Sequence, residues 1–364
     1  MSDIMETDVL VVGAGPAGST VARYAAEKGL DVTLIERRKK IGIPVRCGEF
    51  MPDVSEIKAI FPSATDLDEL FNIPPSLRRR DIGAIRVVTP KGRSYDNPFQ
   101  GYSTDRDRFD QYLASEAVSA GAELITSCAF IKAADGLYQT SKGAFRAKVI
   151  VGADGPGSRV AREMGLPLPK HPYPAVAAQA KGDFEPVLTM FFGGIAPGAY
   201  GWIIPKDGSA NVGVGCSPKL ADLRPSDYFY RFVETHDLNV TSRISGKYVP
   251  AQGPIKPIYD EGAITVGDAA GHVMAVNGGG IPLAMIAGRT AADVLEKHIV
   301  KGGPISLYQE RLENTIFGPL RSAARTKWLA DVFAFGSDFR TEWCMRTLGR
   351  RRISKILRCR FPFP

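Results

Sequence analysis

Continuous apolar runs that end at glycine dominate the first part of the chain. Residues 9–12 form such a run of Val and Leu, which is typical of a β-strand covered on both faces. An Ala-rich stretch with helical spacing follows from about residue 16 to residue 28, Gly29 ends it, and residues 32–36 form a second apolar run. The pattern predicts a strand, a helix and a second strand, with a tight glycine turn after the first strand.

The same pattern returns further along the chain and predicts more elements of this sheet. An amphipathic helix starts near residue 105, with Phe109, Tyr112 and Leu113 at helical spacing, and Gly121 ends it. The other expected elements are a parallel strand at 123–127, a hairpin at 139–140 and 144–146, a buried strand at 147–151, a returning strand at 263–268 and a long helix at about 282–300.

Between residues 173 and 250 apolar and polar residues alternate, with many Gly and Pro. Alternation predicts antiparallel strands that cover a core on one face. The candidates are strands at 175–180, 188–192, 201–204 and 210–214, a helix near 226–236, and two strands of a different sheet at 82–88 and 93–95. We therefore expect a separate antiparallel sheet with its own helix, and we expect residues 305–364 to be wholly helical.

Composition places the chain among ordinary globular proteins. Of 364 residues, 44% are hydrophobic and 23% charged, and no run of about 18 uncharged apolar residues occurs. The apolar N-terminal run is interpreted as a buried strand rather than a signal peptide, so a cytoplasmic location is expected. The five cysteines lie far apart without zinc spacing, which indicates neither a disulfide framework nor a metal site.

The net charge of +7 is concentrated at one end of the chain. From Arg321 onward eleven Lys and Arg stand against three Asp and Glu, a net charge of +8. Such a segment is either a solvated helical face or a surface that meets anionic lipid or an acidic partner. No nucleic-acid-binding module accompanies the charge, so we expect no nucleic acid partner.

The first glycine turn has the spacing of a dinucleotide-binding site. Gly13, Gly15 and Gly18 would serve the tight turn, the approach of a pyrophosphate, and the packing of helix on strand, respectively. The helix that follows directs its positive end at the phosphates. Glu36 closes the second strand, where its carboxylate can accept hydrogen bonds from ribose hydroxyls. The spacing predicts a bound dinucleotide.

A second strand-turn-helix arrangement lies near residue 268. Asp268 follows a strand, and Gly278, Gly279 and Gly280 open a helix about a dozen residues later. Asp268 could bind a polyol such as the ribityl chain of FAD, and the helix dipole could stabilise negative charge on a reduced flavin. The alternative is an ordinary turn with an Asp that faces solvent.

These motifs resemble a known superfamily. The glycines at 13–18, the Asp154-Gly155 turn and Gly267-Asp268 are similar to the FAD-binding fold of aromatic hydroxylases and geranylgeranyl reductases. Residues 44–49 (PVRCGE), 106–110 (RDRFD) and 197–205 (PGAYGWIIP) resemble the geranylgeranyl reductase family, particularly its archaeal members that saturate digeranylgeranylglycerophospholipids. The chain has Ile204 where the family's YxWxFP motif has Phe, and its C-terminal region is short for the archaeal lipid reductases.

The resemblance implies the fold class α/β (α+β overall), with three parts: a Rossmann-like FAD-binding domain, a separate antiparallel-sheet substrate domain, and a basic helical C-terminal region. Their expected ranges are 1–80 with 100–170 and 255–303, then 81–99 with 171–254, and 304–364. Matched residue by residue, the implied FAD contacts are Ala17, Glu36, Cys47, Gly48, Arg106, Ala129, Asp268, Gly280 and Ile281, with Phe50 as a weaker candidate; Gly13, Gly15, Gly18 and Asp154 join them from the glycine and Asp-Gly turns.

Chemistry adds detail at two of these residues. Arg106, at the start of a helix, could reach the pyrophosphate bidentately, and the amide of Ala129 could meet the adenine. His272 is a lone loop histidine, which is more often structural, and it is given no role.

Cys47, Tyr200 and Trp202 are the candidate catalytic residues. On a strand Tyr200 and Trp202 leave by the same face, where aromatic rings could stabilise a carbocation-like transition state during hydride addition to an alkene. The alternatives are that both are core aromatics and that Cys47 is a small buried hydrophobe.

The resemblance implies an FAD-dependent reductase that saturates isoprenoid double bonds, with a polyprenyl lipid as substrate and ferredoxin or NAD(P)H as electron donor. One alternative is an FAD-dependent aromatic or polyprenyl monooxygenase, and another is a non-enzymatic flavoprotein at a membrane. Residues 346–360 combine seven basic residues with Leu and Ile, and Phe361 and Phe363 follow. This composition predicts either an interfacial segment at the inner face of the membrane or a basic helix packed on the protein.

Overall fold

The computed structural model describes residues 4–363 and contains two sheets surrounded by helices. The strands are β1 Met5–Val12, β2 Val32–Ile35, β3 Phe50–Pro52, β4 Arg78–Val88, β5 Ser94–Thr104, β6 Glu123–Ile125, β7 Phe130–Ala134, β8 Leu137–Thr140, β9 Gly143–Gly152, β10 Tyr173–Lys181, β11 Val187–Phe191, β12 Gly201–Lys206, β13 Ser209–Gly215, β14 Asn239–Val240, β15 Ser245–Val249, β16 Tyr259–Asp260 and β17 Ala263–Thr265.

The helices alternate with the strands in the first part of the chain and dominate its last part. They are α1 Pro16–Glu27, α2 Val54–Ile60, α3 Leu67–Leu70, α4 Arg106–Ser119, α5 Arg159–Glu163, α6 Pro225–Thr235, α7 Ile281–Lys301, α8 Leu307–Thr315, α9 Phe317–Phe333 and α10 Asp338–Leu357.

The first sheet has the order β16-β17-β9-β1-β2-β6, and β17, β9, β1, β2 and β6 run parallel. Its central strand β1 pairs Val9 with Val32 on one side and with Val149 on the other, and all three are buried. A continuous apolar run predicts a strand that is covered on both faces of the sheet. This is confirmed, because α1, α4 and α7 pack together on one face and α5 covers the other. The expected Rossmann-like sheet is therefore present.

The second sheet has the order β14-β10-β13-β12-β11-β4-β5-β3, with β15 beside β10. The sequence predicts a wholly antiparallel sheet, and this is wrong at one place, because β11 pairs with β4 in parallel, Met190 beside Val87. β11 does not pair with β10, the strand that precedes it in the chain, so no hairpin sets its direction. Alternation of polar and apolar residues does not tell in which direction a strand runs. The sheet also takes in residues 50–52, 78–80 and 100–104, beyond the ranges expected for it.

Helices α8, α9 and α10 form most of the last part of the chain. They are interrupted at residues 334–337, and residues 358–363 lie outside any helix, so the expectation of a wholly helical segment is too simple. Ile353 and Leu357 are buried against the body, and Arg358 holds the carboxylate of Glu56 at 2.6 and 2.7 Å. The basic end of α10 is thus packed on the protein by its apolar side. Across residues 4–363 no helix is both long and apolar enough to cross a membrane.

Candidate functional site

The turn between β1 and α1 has glycine where side chains would collide. A Cβ on Gly13, whose φ is +105°, would lie 2.5 Å from the carbonyl oxygen of Ala153, and one on Gly18 would lie 1.9 Å from that of Gly13. Gly15 is different, because no heavy atom lies within 4 Å of its Cβ position. The first helical hydrogen bond runs from the amide of Ser19 to Gly15, so the amides before it have no partner within the helix. The turn therefore presents backbone donors to open space.

The carboxylate of Glu36 lies at the end of β2 and is tied to that turn. It accepts the amide of Ala14 at 3.1 Å on one oxygen and the amide of Arg38 at 2.9 Å on the other. Each carboxylate oxygen can accept about two hydrogen bonds. Glu36 is thus fixed in place with acceptor capacity that remains for a ligand.

Asp268 meets the start of α7 at the same end of the sheet. A Cβ on Gly280 would lie 3.3 Å from a carboxylate oxygen of Asp268, and a Cβ on Gly267 would lie 2.9 Å from the Cβ of Ala17. The turn at 267–270 therefore touches the N-terminus of α1, and Ile281 begins α7 next to it. Lys247 from β15 approaches Asp268 at 2.5 Å.

We refer to residues 13–18 with Glu36, Asp268 and Gly280 as the cofactor edge. It combines two helix N-termini, an uncrowded glycine and two carboxylates, of which Glu36 is held by backbone amides and Asp268 pairs with Lys247. Helix N-termini suit a diphosphate, and fixed carboxylates suit the hydroxyls of ribose and ribityl groups. The residues present fit FAD.

Arg106 lies beside this edge, but its fork is already engaged. The Nε and Nη2 atoms bind both oxygens of Asp110 at 2.8 and 2.9 Å, and both side chains are largely buried. Burial alone would lower the pKa of Arg106, yet Asp110 and Cys47 beside it raise that pKa above its usual value. This pairing uses the Nε hydrogen and one hydrogen of Nη2, so a contact with pyrophosphate would come from Nη1 and the second hydrogen of Nη2, and it stays a prediction.

Three other residues predicted to contact FAD already interact with protein groups through some of their atoms. The amide of Ala129 donates to Ser141 Oγ at 3.0 Å, so a contact with adenine requires that this bond be exchanged. Asp154 adjoins Gly13, but its Oδ2 accepts the amides of Arg159 and Val160 at 2.7 and 3.3 Å. Phe50 packs its ring on Gly101 and Phe99 of β5. The part each takes in cofactor binding stays a prediction.

The loop that carries Cys47 lies directly on the second sheet. A Cβ on Gly48 would lie 2.9 Å from Ile204 Cδ1 and 3.7 Å from Trp202 Nε1, and one on Gly213 would lie 2.2 Å from the Trp202 ring. Trp202 is 8% exposed, and its Nε1 donates to Asn211 at 2.8 Å. Cys47 and Gly48 are thus brought together with Trp202 and Ile204, although Trp202 is largely covered.

Tyr200 connects the second sheet to the loop before α7. Its hydroxyl donates to the carbonyl of Asn277, and burial together with nearby Cys47 raises its pKa well above the usual value. Its ring lies 6.0 Å from that of Trp202 and 5.8 Å from that of Phe192, and Phe192 stacks on Phe335 at 6.2 Å. Four aromatic rings therefore form a row from the α9-α10 turn to Cys47.

A buried carboxylate that the sequence did not single out organises this region. Glu49 is 1% exposed and accepts the amide of Arg106, Gln179 Nε2, Lys206 Nζ and Asn211 Nδ2, all at 2.6 to 2.9 Å. We call this set the Glu49 network. Asn211 also donates to the carbonyl of Cys47 at 2.9 Å, and the amide of Glu49 donates to Cys47 Sγ at 3.2 Å.

The network holds both the thiol and the indole in place. Glu49 has a φ of +66°, a conformation that a non-glycine residue rarely adopts unless its surroundings impose it. The PVRCGE motif displays Glu49, but its three side-chain partners lie on three strands far along the chain, where inward-pointing polar residues carry no local signal.

His272 is fully buried near Asp268. Its Nδ1 accepts the amide of Gly267 at 3.3 Å, and burial lowers its pKa to about 3. This histidine is therefore a neutral acceptor that closes a turn, in line with the structural interpretation.

Comparison with known proteins agrees with this geometry. Residues 175–248 match the geranylgeranyl reductase catalytic domain, and residues 8–43 match the FAD dependent oxidoreductase family. The chain is 38% identical to the digeranylgeranylglycerophospholipid reductase of Methanosarcina acetivorans over 86% of its own length and 79% of that protein's. It is 33% identical to digeranylgeranylglycerophospholipid reductase 2 of Methanothermobacter thermautotrophicus, with 97% and 94% covered.

Solved structures give the same result. The fold superposes on a geranylgeranyl bacteriochlorophyll reductase-like protein of Thermoplasma acidophilum with a TM-score of 0.84 at 28% identity, covering 97% of this chain and 92% of that one. The flavin-dependent brominase Bmp2, at 20% identity and a TM-score of 0.72 with 99% and 95% covered, shares the fold. The second sheet, the FAD-type glycine turn and the identity over most of the chain together show that this protein belongs to the digeranylgeranylglycerophospholipid reductase family.

Proposed function

We propose that the protein is an FAD-dependent reductase that saturates the C=C bonds of geranylgeranyl chains on archaeal-type membrane lipid precursors. The observation that carries this proposal is the meeting of the cofactor edge with Cys47 and Tyr200 at the Asn277 loop. One side of this meeting point offers sites for a flavin, and the other offers aromatic rings suited to an apolar chain. The names of the relatives support the lipid class.

The cofactor edge would hold FAD by backbone and carboxylate contacts. The α1 turn would bind the diphosphate, Glu36 the ribose, and Asp268 with Gly280 and Ile281 the flavin end. Bound FAD supplies a hydride to the alkene. The division of the chain into an FAD-binding domain, a substrate domain and a C-terminal region is part of the same proposal.

Saturation also needs a proton, and the protein must provide it. The Tyr200 hydroxyl donates to the carbonyl of Asn277, whereas Cys47 Sγ accepts the amide of Glu49 and lies near Tyr200 at the same meeting point. We therefore assign proton delivery to the thiol of Cys47. Tyr200, with Trp202 packed edge-on behind it, would present its ring to the positive charge that develops on the chain.

The decisive experiment incubates dithionite-reduced holoprotein with a geranylgeranyl phospholipid and follows the lipid mass. A reductase adds two hydrogens per double bond, a monooxygenase adds oxygen under air, and a non-enzymatic flavoprotein leaves the lipid unchanged. Cys47→Ala should retain FAD and lose turnover, while Cys47→Ser, which keeps a donor, should retain part of it. Unchanged turnover in Cys47→Ala would remove the thiol from the mechanism.

The physiological reductant is ferredoxin or NAD(P)H. The sequence has no second GxGxxG turn for a nicotinamide domain, so NAD(P)H would bind transiently. Flavin bleaching by each donor under anaerobic conditions separates the two. Because the substrate is a lipid, the protein is proposed to meet it peripherally, at the inner surface of the membrane.

A further inference from the structure

Large apolar side chains are exposed together in one part of the surface. Trp328, Phe333, Phe339 and Trp343 are 61%, 61%, 73% and 61% exposed, and Val332 lies among them. Over the rest of residues 4–363 such side chains are scattered, as on most proteins. We call residues 328–347, from the end of α9 to the middle of α10, the aromatic hairpin.

The aromatic hairpin is fixed to the protein rather than hanging from it. Thr341 Oγ1 donates to the carbonyl of Ala334 at 3.0 Å and closes the turn between the helices. At the start of α10, Asp338 accepts the amide of Gly194 at 2.6 Å from the loop that precedes β12. The exposed rings are therefore held outward by a structured turn.

Basic residues surround the exposed rings. Lys91, Arg93, Arg340, Arg346 and Arg350 are exposed on α10 and on the turn between β4 and β5. Burial would raise the pKa of Glu342, but Thr89, the amide of Lys91 and nearby Arg93 and Arg346 hold it below its usual value. A groove of about 450 Å³ runs between the β4-β5 turn and α10, lined by Lys91, Phe339, Glu342, Trp343, Arg346 and Thr347.

The aromatic hairpin also adjoins the proposed reaction site. Phe335 in its turn begins the row of rings that continues through Phe192 and Tyr200 to Trp202. An apolar chain that leaves a bilayer at the hairpin would meet aromatic faces along this row.

We propose that the aromatic hairpin docks the protein on an anionic phospholipid bilayer, an inference that rests on the lipid substrate proposed above. Tryptophan favours the interface between headgroups and acyl chains, and each exposed Lys or Arg is attracted to anionic headgroups. The carboxylates of this region, Asp331, Asp338 and Glu342, are already engaged by Lys327 and by the amides of Gly194 and Lys91. A second copy of the chain would therefore bring the exposed basic residues face to face, which disfavours a dimer through this surface. Of residues 346–364, the exposed Arg346 and Arg350 belong to this surface, whereas Ile353, Leu357 and Arg358 are packed on the body and are no longer part of the candidate interface.

The test is cosedimentation of holoprotein with phosphatidylcholine vesicles, with and without phosphatidylglycerol. Wild type should bind the anionic vesicles, and less so at high salt. Phe339→Ser/Trp343→Ser should weaken binding by more than about tenfold, because two large apolar side chains no longer enter the interface. Lys91→Gln/Arg346→Gln should weaken it by about thirtyfold, and more strongly at low salt than at high salt.

A matched control comes from an exposed aromatic residue elsewhere. Tyr230 on α6 is 60% exposed, and Tyr230→Ser should bind vesicles like wild type. Intrinsic fluorescence gives a second measurement, because two of the three tryptophans, Trp328 and Trp343, lie in the aromatic hairpin, whereas Trp202 is covered. Their emission should shift to the blue on anionic vesicles.

Turnover separates this inference from the proposed function. With detergent-dispersed lipid all variants should react like wild type, and with vesicle lipid activity should fall in step with binding. Vesicle binding without any lipid reduction would overturn the function and leave the docking surface standing. Docking is overturned if wild type does not bind anionic vesicles or if Phe339→Ser/Trp343→Ser binds equally well. It is also overturned if sedimentation velocity shows self-association that this variant abolishes, because a second copy would then cover the surface.

Discussion

The cofactor edge and the Glu49 network both centre on a carboxylate, and the two are built in opposite ways. Glu36 accepts two backbone amides from its own strand-helix-strand unit and keeps acceptor capacity. Glu49 accepts four donors from separate segments, among them the buried ammonium of Lys206 at 2.6 Å. The first arrangement leaves carboxylate acceptor sites available to a ligand, whereas in the second the carboxylate accepts hydrogen bonds from protein groups. Removing Glu36 should therefore affect binding, and removing Glu49 should affect folding.

The largest expected effect is on stability, at Glu49. Glu49→Leu leaves Lys206 buried with only Asp105 at 2.9 Å and removes the acceptor for Gln179 and Asn211. Breaking a buried ion pair in this way typically costs about 3–5 kcal/mol. Urea unfolding of the purified protein measures the change. The double variant Glu49→Leu/Lys206→Met should recover part of the lost stability. If Glu49→Leu alone were as stable as wild type, the proposed role of the network would be contradicted.

The next effect is on flavin affinity, at the cofactor edge. Glu36→Ala and Asp268→Ala should each weaken FAD binding by about 1.5–3 kcal/mol, the value of a hydrogen bond to a charged group. Titration of the apoprotein with FAD measures it. Glu27→Ala, on the last turn of α1, is a matched control, since its carboxylate pairs with Arg23 on the surface. Full affinity in both variants would rule out these two residues as cofactor ligands.

The turn that carries Asp268 should also be acid-sensitive, through His272. Its pKa of about 3 in the folded protein lies below the unfolded value of about 6.5, so the unfolded chain binds the proton more tightly. The free energy of unfolding is therefore unaffected by the titration of His272 above pH 6.5, and it decreases as the pH falls from 6.5 toward 3. At pH 5 the loss is about 2 kcal/mol.

Comparing urea unfolding at pH 7 and pH 5 tests this. His272→Asn, which can still accept the amide of Gly267, should lose less stability over that interval than wild type. An equal loss in both would assign the acid sensitivity to other groups.

The smallest effect concerns Ser141. Ser141→Ala frees the amide of Ala129, and if that amide meets the adenine, FAD affinity should rise by up to about 1 kcal/mol. The same titration of apoprotein detects it. A decrease in affinity would mean that Ser141 itself contacts the cofactor.

The sequence predicted the two regions to very different extents. Gly13, Gly15, Gly18 and Glu36 lie within one contiguous unit, so their spacing alone predicts that they meet at one turn, as they do. Glu49 was visible in its motif, but Gln179, Lys206 and Asn211 reach it only after three strands have paired. The ion pair between Arg106 and Asp110 was likewise not predicted, although the two residues are one helical turn apart. The spacing of charges does not tell whether a guanidinium binds a ligand or a neighbouring carboxylate. The parallel pairing of β11 with β4 depends on long-range topology that alternation cannot encode.

The Asn277 loop has a consequence for the order in which the protein is made. Its carbonyl accepts the hydroxyl of Tyr200, and its side-chain amide donates to the carbonyl of Leu357, 80 residues later in the chain. A nascent chain that has already completed both sheets still lacks α10. The hydrogen bond between Asn277 and Leu357 therefore cannot form until that helix has left the ribosome. Cofactor loading during synthesis would therefore meet an Asn277 loop that α10 does not yet hold, and full retention of flavin should be a late event in the maturation of this enzyme.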